Sequence, residues 1–208
     1  MAQITSYATL QSHIADTLNR SDLTSVIPNF IQQFEARARS DWRLRKLDSQ
    51  SVVNVASDGL ALPSDLYRLN SWYHDGATYF GPIAIVSADD IGRLKASYGD
   101  TGVPQFAAIV DGVARFAPEP DATYVTKIVY ERYPDALSAT NTSNYLLEEA
   151  PDIYLYGCLA ESAPYLKDDE RLGMWETMFN QRAENYNIAQ QDAAFGGSII
   201  RQYTPFGG

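Results

Sequence analysis

The sequence predicts an α+β fold: a bundle of N- and C-terminal helices, an inserted small antiparallel β-region carrying one helix, and an extended C-terminal tail. Three observations carry this. Apolar residues recur at three- and four-residue steps near both ends of the chain, the mark of amphipathic helices. Between them, short runs of β-branched and aromatic residues are punctuated by Asp58-Gly59, Asp75-Gly76 and Asp111-Gly112, the strongest short-range hairpin signal. A chain of 208 residues can bury one full core, so helices at the two ends are expected to find their partners in each other. The expected division is 1–44 with 143–195 for the bundle, 45–134 for the β-region and 196–208 for the tail.

The first helix is expected to be capped by Thr5 or Ser6, to present Leu10, Ile14 and Leu18, and to break over Asn19–Asp22. A second follows, capped by Thr24 or Ser25, with Pro28 tolerated in its first turn and Ile27, Phe30, Ile31, Phe34, Ala38 and Trp42 on one stripe. The three Asp-Gly pairs then predict hairpins: Val52–Val55 with Leu60–Leu62, Leu69–Tyr73 with Thr78–Phe80, and Phe106–Val110 with Val113–Phe116. A helix over Ala88–Tyr98, with Ile91 and Leu94 inward, interrupts this region, and a last strand runs from Tyr124 to Tyr133. Asp135–Asn144 is polar and loop-like.

The stretch Pro151–Leu166 is the segment around which the rest is expected to pack. Pro151 suits the first helical position, Glu148 and Glu149 lie near the positive end of the helix dipole, and Ile153, Tyr156, Leu159, Ala160 and Ala163 form a stripe. Pro164 should end or kink this helix. A final helix, Asp169–Ala194, returns antiparallel to it with Leu172, Trp175, Phe179, Arg182, Tyr186 and Ala189 on one face, and Gly196-Gly197 stops it. The remaining SIIRQYTPFGG is too short to fold alone, yet carries Ile199, Ile200, Tyr203 and Phe206 as apolar anchors that want a surface, on its own subunit or on a partner.

Composition excludes several classes. A formal charge of −10 argues against the whole surface gripping nucleic acid. No apolar run approaches the ~18 residues of a membrane span and no signal peptide is evident, so a cytoplasmic protein without a membrane partner is expected. Fourteen tyrosines suit a β-rich middle or a large contact surface. Cys158 excludes an internal disulfide and reads as a small core residue.

Catalysis finds little to work with. His13 and His74 have no companions at metal-ligand spacing and are expected to be exposed surface histidines. No nucleophile elbow, P-loop or dinucleotide fingerprint occurs. Asp89-Asp90 and Asp168-Asp169-Glu170 precede predicted helices, where capping explains them without a metal. No catalytic residue, metal or cofactor is expected. A small glycan-binding or hydrolytic module on the β-region, using tyrosine stacking or a carboxylate pair, is the alternative from a different class.

One charge asymmetry asks for a reason. Arg37, Arg39, Arg43, Arg45 and Lys46 supply five of the sixteen basic residues within ten positions, opposed there by Asp41 alone. The patch is either the solvated C-terminal end of the second helix, or a contact for an acidic face of a neighbouring subunit or for passing nucleic acid.

The order of features resembles the head-to-tail adaptor (connector) proteins of tailed bacteriophages. The resemblance is carried by IPNFIQQFEARARSDWR at Ile27–Arg43, LALPSDLYRLNSWYHDG at Leu60–Gly76, VARFAPEP at Val113–Pro120 and PDIYLYGCLAESAPYLKDDERLGMWETMF at Pro151–Phe179. It implies a non-enzymatic virion protein of the neck, made in the host cytoplasm. Such a protein forms a ring with copies of itself, usually twelve-fold, around a channel that passes double-stranded DNA without sequence specificity. The implied partners are the portal protein, gripped by the tail residues Ile199, Ile200, Tyr203 and Phe206, and a tail or nozzle protein. Another virion connector, a head-completion or tail-terminator protein, is the alternative within this class.

Overall fold

The computed structural model describes residues 3–195 apart from 77, 79 and 168. The fold is α+β, and the chain divides into two compact units: residues up to Leu47 together with those from Pro134 onward, and Asp48–Tyr133. The tail anchors Ile199, Ile200, Tyr203 and Phe206 and the Gly196-Gly197 stop lie outside the described residues.

The first unit is helical. Helix α1 (Tyr7–Leu18) begins at a reciprocal cap, in which Thr9 N donates to Ser6 Oγ and Ser6 N donates to Thr9 Oγ1. It ends on Asn19 in the left-handed conformation, φ 52°. A single 3-10 turn at Ser21–Leu23 leads into α2 (Ile27–Ser40). The expected cap from Thr24 or Ser25 is not used: Val26 holds that position without a side-chain bond, and the Thr24 hydroxyl donates back to Ser21 O at 3.1 Å. The expected stripe also ends early. Asp41 is extended and caps a separate turn at Trp42–Leu44, so Leu44 enters the core while Trp42 is 55% exposed.

Asn144, the last residue of the expected loop, opens a short helix α4 (Tyr145–Glu149) ahead of the expected helix start at Pro151, by accepting from Leu147 N at 2.9 Å. Helix α5 (Pro151–Leu166) follows at once, and α6 (Asp169–Phe195) returns beside it. Helix α5 packs against α1, α2, α4 and α6, which makes it the centre of this unit. Its burial is broader than one stripe: Tyr154, Gly157, Cys158 and Ser162 are buried along with Ile153, Leu159, Ala160 and Ala163, whereas Tyr156 is half-buried against Trp175. Pro164 neither ends nor interrupts it before Leu166, and Lys167 terminates it with φ 55°. Phe179, Ala183, Tyr186 and Asn187 form the buried face of α6. Arg182 and Ala189, expected on that face, are exposed, because the buried face is centred about 55° away around the helix.

The second unit holds two four-stranded sheets. Its elements in order are β1 (Lys46–Val55), β2 (Leu60–Ala61), β3 (Leu66–Asp75), β4 (Phe80–Pro82), β5 (Ala84–Ile85), α3 (Ala88–Tyr98), β6 (Thr101–Gly102), β7 (Phe106–Val110), β8 (Val113–Ala117), β9 (Glu119–Pro120) and β10 (Tyr124–Arg132). One sheet has the order β1-β10-β3-β4 and the other β2-β8-β7-β5, while β6 and β9 form a short parallel pair. The Asp111-Gly112 hairpin forms as expected, with φ 50° and 75° at its two turn residues. Strands β3 and β4 also pair antiparallel, but Asp75 lies within the ladder opposite Phe80, so the second strand is Phe80–Pro82 rather than the expected Thr78–Phe80. Asp58-Gly59 does not make a hairpin. It carries the chain from β1 in one sheet to β2 in the other, where Leu60 pairs with Ala114. Asp58 explains the change of sheet: its Oδ1 accepts from Phe116 N at 2.9 Å and its Oδ2 lies 3.6 Å from Lys95 Nζ, so the turn is tied to β8 and α3. Trp72 of β3 and Phe116 of β8 meet edge to face at 5.3 Å in the core between the sheets. Helix α3 covers β7 and β8 through Ile91, with Ala108 and Ala117 beneath it.

Candidate functional site

The basic segment is the feature the sequence singled out, and the structure places most of it in internal pairs. Like charges crowded at the end of one helix repel, so each is expected to find a carboxylate on another element. Arg37 does this most fully. Its Nη1 and Nη2 donate to the two oxygens of Glu176 on α6 at 2.6 and 2.7 Å, Nη1 also reaches Glu161 on α5 at 3.3 Å, and its guanidinium lies 4.5 Å over the Phe179 ring. One side chain thereby ties α2 to α5 and α6. The hydrogen bonds it donates to Glu176 hold the Arg37 guanidinium even more firmly charged than usual.

Arg43 forks onto Asp41, with Nη2 to Oδ2 at 2.7 Å, and the same Nη2 reaches Asn180 on α6 at 3.0 Å. Burial pushes the Asp41 carboxyl up, but its bonds from the Arg43 side chain and backbone outweigh this and hold it below the usual range. Lys46 pairs with Glu149, whose carboxylate also accepts from Tyr186 and Gln190. Arg45 is half-buried, and Arg39 is exposed with no ion pair among the described residues. The five residues thus do not form one open basic surface; Arg39 is its outward member.

Two groups the sequence reading passed over lie beside this segment. Glu35, on the buried side of α2, is only 8% exposed, and its Oε1 accepts from Leu137 N at 2.7 Å and from Tyr154 Oη at 3.2 Å. Tyr154 Oη in turn accepts from Asn144 Nδ2 at 2.6 Å. Burial pushes the Glu35 carboxyl up and moves the Tyr154 phenol far above its ordinary value. The signal was present: Glu35 follows Ile27 and Ile31 at steps of four, which places a carboxylate on a core-facing stripe. Gly157, also overlooked, is where the Phe34 ring of α2 occupies the space a side chain on α5 would need.

Both histidines are buried rather than exposed. His13 neighbours Ile14 on the core side of α1 at 8% exposure, and His74 alternates with Trp72 on the inward side of β3 at 6%. The His74 Nε2 lies 2.7 Å from the Pro104 carbonyl oxygen and donates to it, and its ring meets Tyr124 edge to face. A pocket of 410 Å³ adjoins it, and among the described residues lining that pocket Asp121 is the one carboxylate, engaged by the Tyr124 hydroxyl. Among the described residues no cluster of His, Cys, Asp and Glu suits a metal ion, and no helix is long and apolar enough to cross a membrane. Cys158 is fully buried and burial pushes its thiol up, as a core residue should be.

The arrangement is one of packing and charge pairing that spans the chain. No curated protein matches it. Comparison with known families matches residues 5–202, running through both units, to the SU10 adaptor protein. The chain therefore belongs to the SU10 adaptor protein family, a family of structural bacteriophage proteins.

Proposed function

We propose that the protein is a ring-forming head-to-tail adaptor of the virion neck, which docks on the portal protein and continues the DNA channel toward the tail or nozzle protein. The observation that carries this reading is the family match across residues 5–202. The mechanism is geometric: copies pack side by side, in a ring of twelve, and the C-terminal residues Ile199, Ile200, Tyr203 and Phe206 bury their apolar surface on the portal. A channel wall must let DNA slide. A chain of net charge −10, whose Arg37, Arg43 and Lys46 are neutralised by its own carboxylates, supports a wall that does not hold phosphate tightly. Of the basic patch, Arg39 is the member best placed to meet an acidic face of a neighbouring copy.

Removal of residues 198–208 tests the docking step. The truncated protein is expected to melt at the same temperature and to lose co-sedimentation with portal rings. Unchanged portal affinity would contradict the role of the tail.

A further inference from the structure

Beside Glu35 the first unit carries a pocket of 230 Å³. Its exposed rim includes Asn29 and Gln32, Pro28 is half-buried, and its inner wall is formed by buried Ile31, Leu137 and Glu35. That volume is several times the ~30 Å³ share of one water molecule. Both hydrogen bonds to the Glu35 carboxylate among the described residues go to Oε1, and Glu35 is one of the residues lining the pocket, so its second oxygen retains acceptor capacity. A carboxylate so buried is costly without a countercharge. Arg39, one turn further along α2, acts on it only through space and makes no ion pair with it.

From this geometry we infer that the pocket is a binding site for a guanidinium or alkylammonium group, supplied by an arginine or lysine side chain of an adjoining protein chain. The chemistry is complementary at each part. Glu35 Oε2 offers the buried negative charge, the side-chain amide oxygens of Asn29 and Gln32 can accept the remaining N–H donors at the mouth, and Pro28, Ile31 and Leu137 form an apolar wall for the methylene stem. Entry of the cation adds a directly paired countercharge to a buried carboxylate that otherwise has neutral hydrogen-bond donors and the distant field of Arg39. The source of the cation as a neighbouring chain rests on the adaptor reading; the preference of the pocket for such a group does not.

The full-length protein is titrated by calorimetry with N-acetyl-arginine amide, with N-acetyl-glutamine amide and putrescine as the comparison probes. Saturable binding of the arginine probe, weaker by about tenfold or more in Glu35→Gln and absent for the glutamine probe, is the expected result. Gln at 35 keeps an oxygen to accept from Leu137 and Tyr154, so the fold should persist. A second variant, Gln32→Lys on the exposed rim, places the chain's own ammonium at the mouth and should weaken the arginine probe to a similar extent. No saturable binding, or equal binding by wild type and both variants, would overturn the site. Binding of putrescine without the arginine probe would overturn the side-chain source and give the pocket to small amines. None of these outcomes depends on whether the protein binds a portal, so failure here and failure of the adaptor reading are distinguishable.

Discussion

A Cβ placed on Gly157 would lie 2.2 Å from both Cδ2 and Cε2 of Phe34, so α5 and α2 meet where one residue has no side chain and the other fills the gap. Phe34 also meets Tyr154 and Phe179 edge to face at 5.0 and 5.8 Å, which leaves its ring little room to retreat. Gly157→Ala gains about 1 kcal/mol of helix propensity, yet the overlap should outweigh it, for a net loss of about 1–3 kcal/mol. Chemical denaturation of Gly157→Ala, Phe34→Leu and the double variant checks this. The double variant should lose less than the sum of the singles, since Phe34→Leu relieves the clash.

Arg37 and Arg39 sit two residues apart and should behave differently. Arg37→Ala leaves Glu161 and Glu176 without their shared cation and is expected to cost about 2 kcal/mol in a urea titration, since hydrogen bonds to charged groups are among the stronger ones. Arg39→Ala should fall within about 0.5 kcal/mol of wild type, as for other exposed side chains.

Glu35 gives the stability a pH dependence of known sign. Burial raises its folded value above the ordinary 4.5, against the opposing bonds from Leu137 and Tyr154 and the field of Arg39, with Tyr154 and Cys158 as the titratable groups facing it from α5. The folded state therefore binds this proton more tightly than the unfolded chain. Its contribution to stability falls as pH rises from 4.5 through the raised value and returns as pH drops. Denaturation midpoints of wild type relative to Glu35→Gln, compared at pH 5 and pH 7, should show wild type gaining on the variant at the lower pH.

The positions of most helices were legible, because Leu10, Ile14, Phe30, Phe34 and Ile153 repeat at helical spacing and each helix packs within a few residues of where that spacing runs. What each face touches was less so. Trp42 continues the spacing of α2 on paper, but Asp41 ends the helix with a side-chain cap that no periodicity encodes. Asp58-Gly59 specifies a tight turn, while the choice of sheet beyond it depends on contacts to Phe116 and Lys95 distant in sequence. The basic run Arg37–Lys46 stood out in the chain, but its partners Glu149, Glu161 and Glu176 lie more than a hundred residues away, and no local pattern announces such pairs.

Cys158 should be silent to thiol reagents while the protein is folded. Its burial and its raised thiol value both suppress the reactive thiolate. Labelling with an aromatic disulfide should be slow in buffer and rise to one thiol per chain in denaturant. Fast stoichiometric labelling in buffer would contradict the packed α5.

The adaptor reading stands or falls on binding to a portal. The most direct measurement is the mass of purified portal rings by light scattering as the full-length protein is added. The account predicts a saturable increase corresponding to many copies per ring, with the added mass independent of further excess. A portal mass that stays unchanged at every ratio, with the C-terminal residues intact, would contradict it.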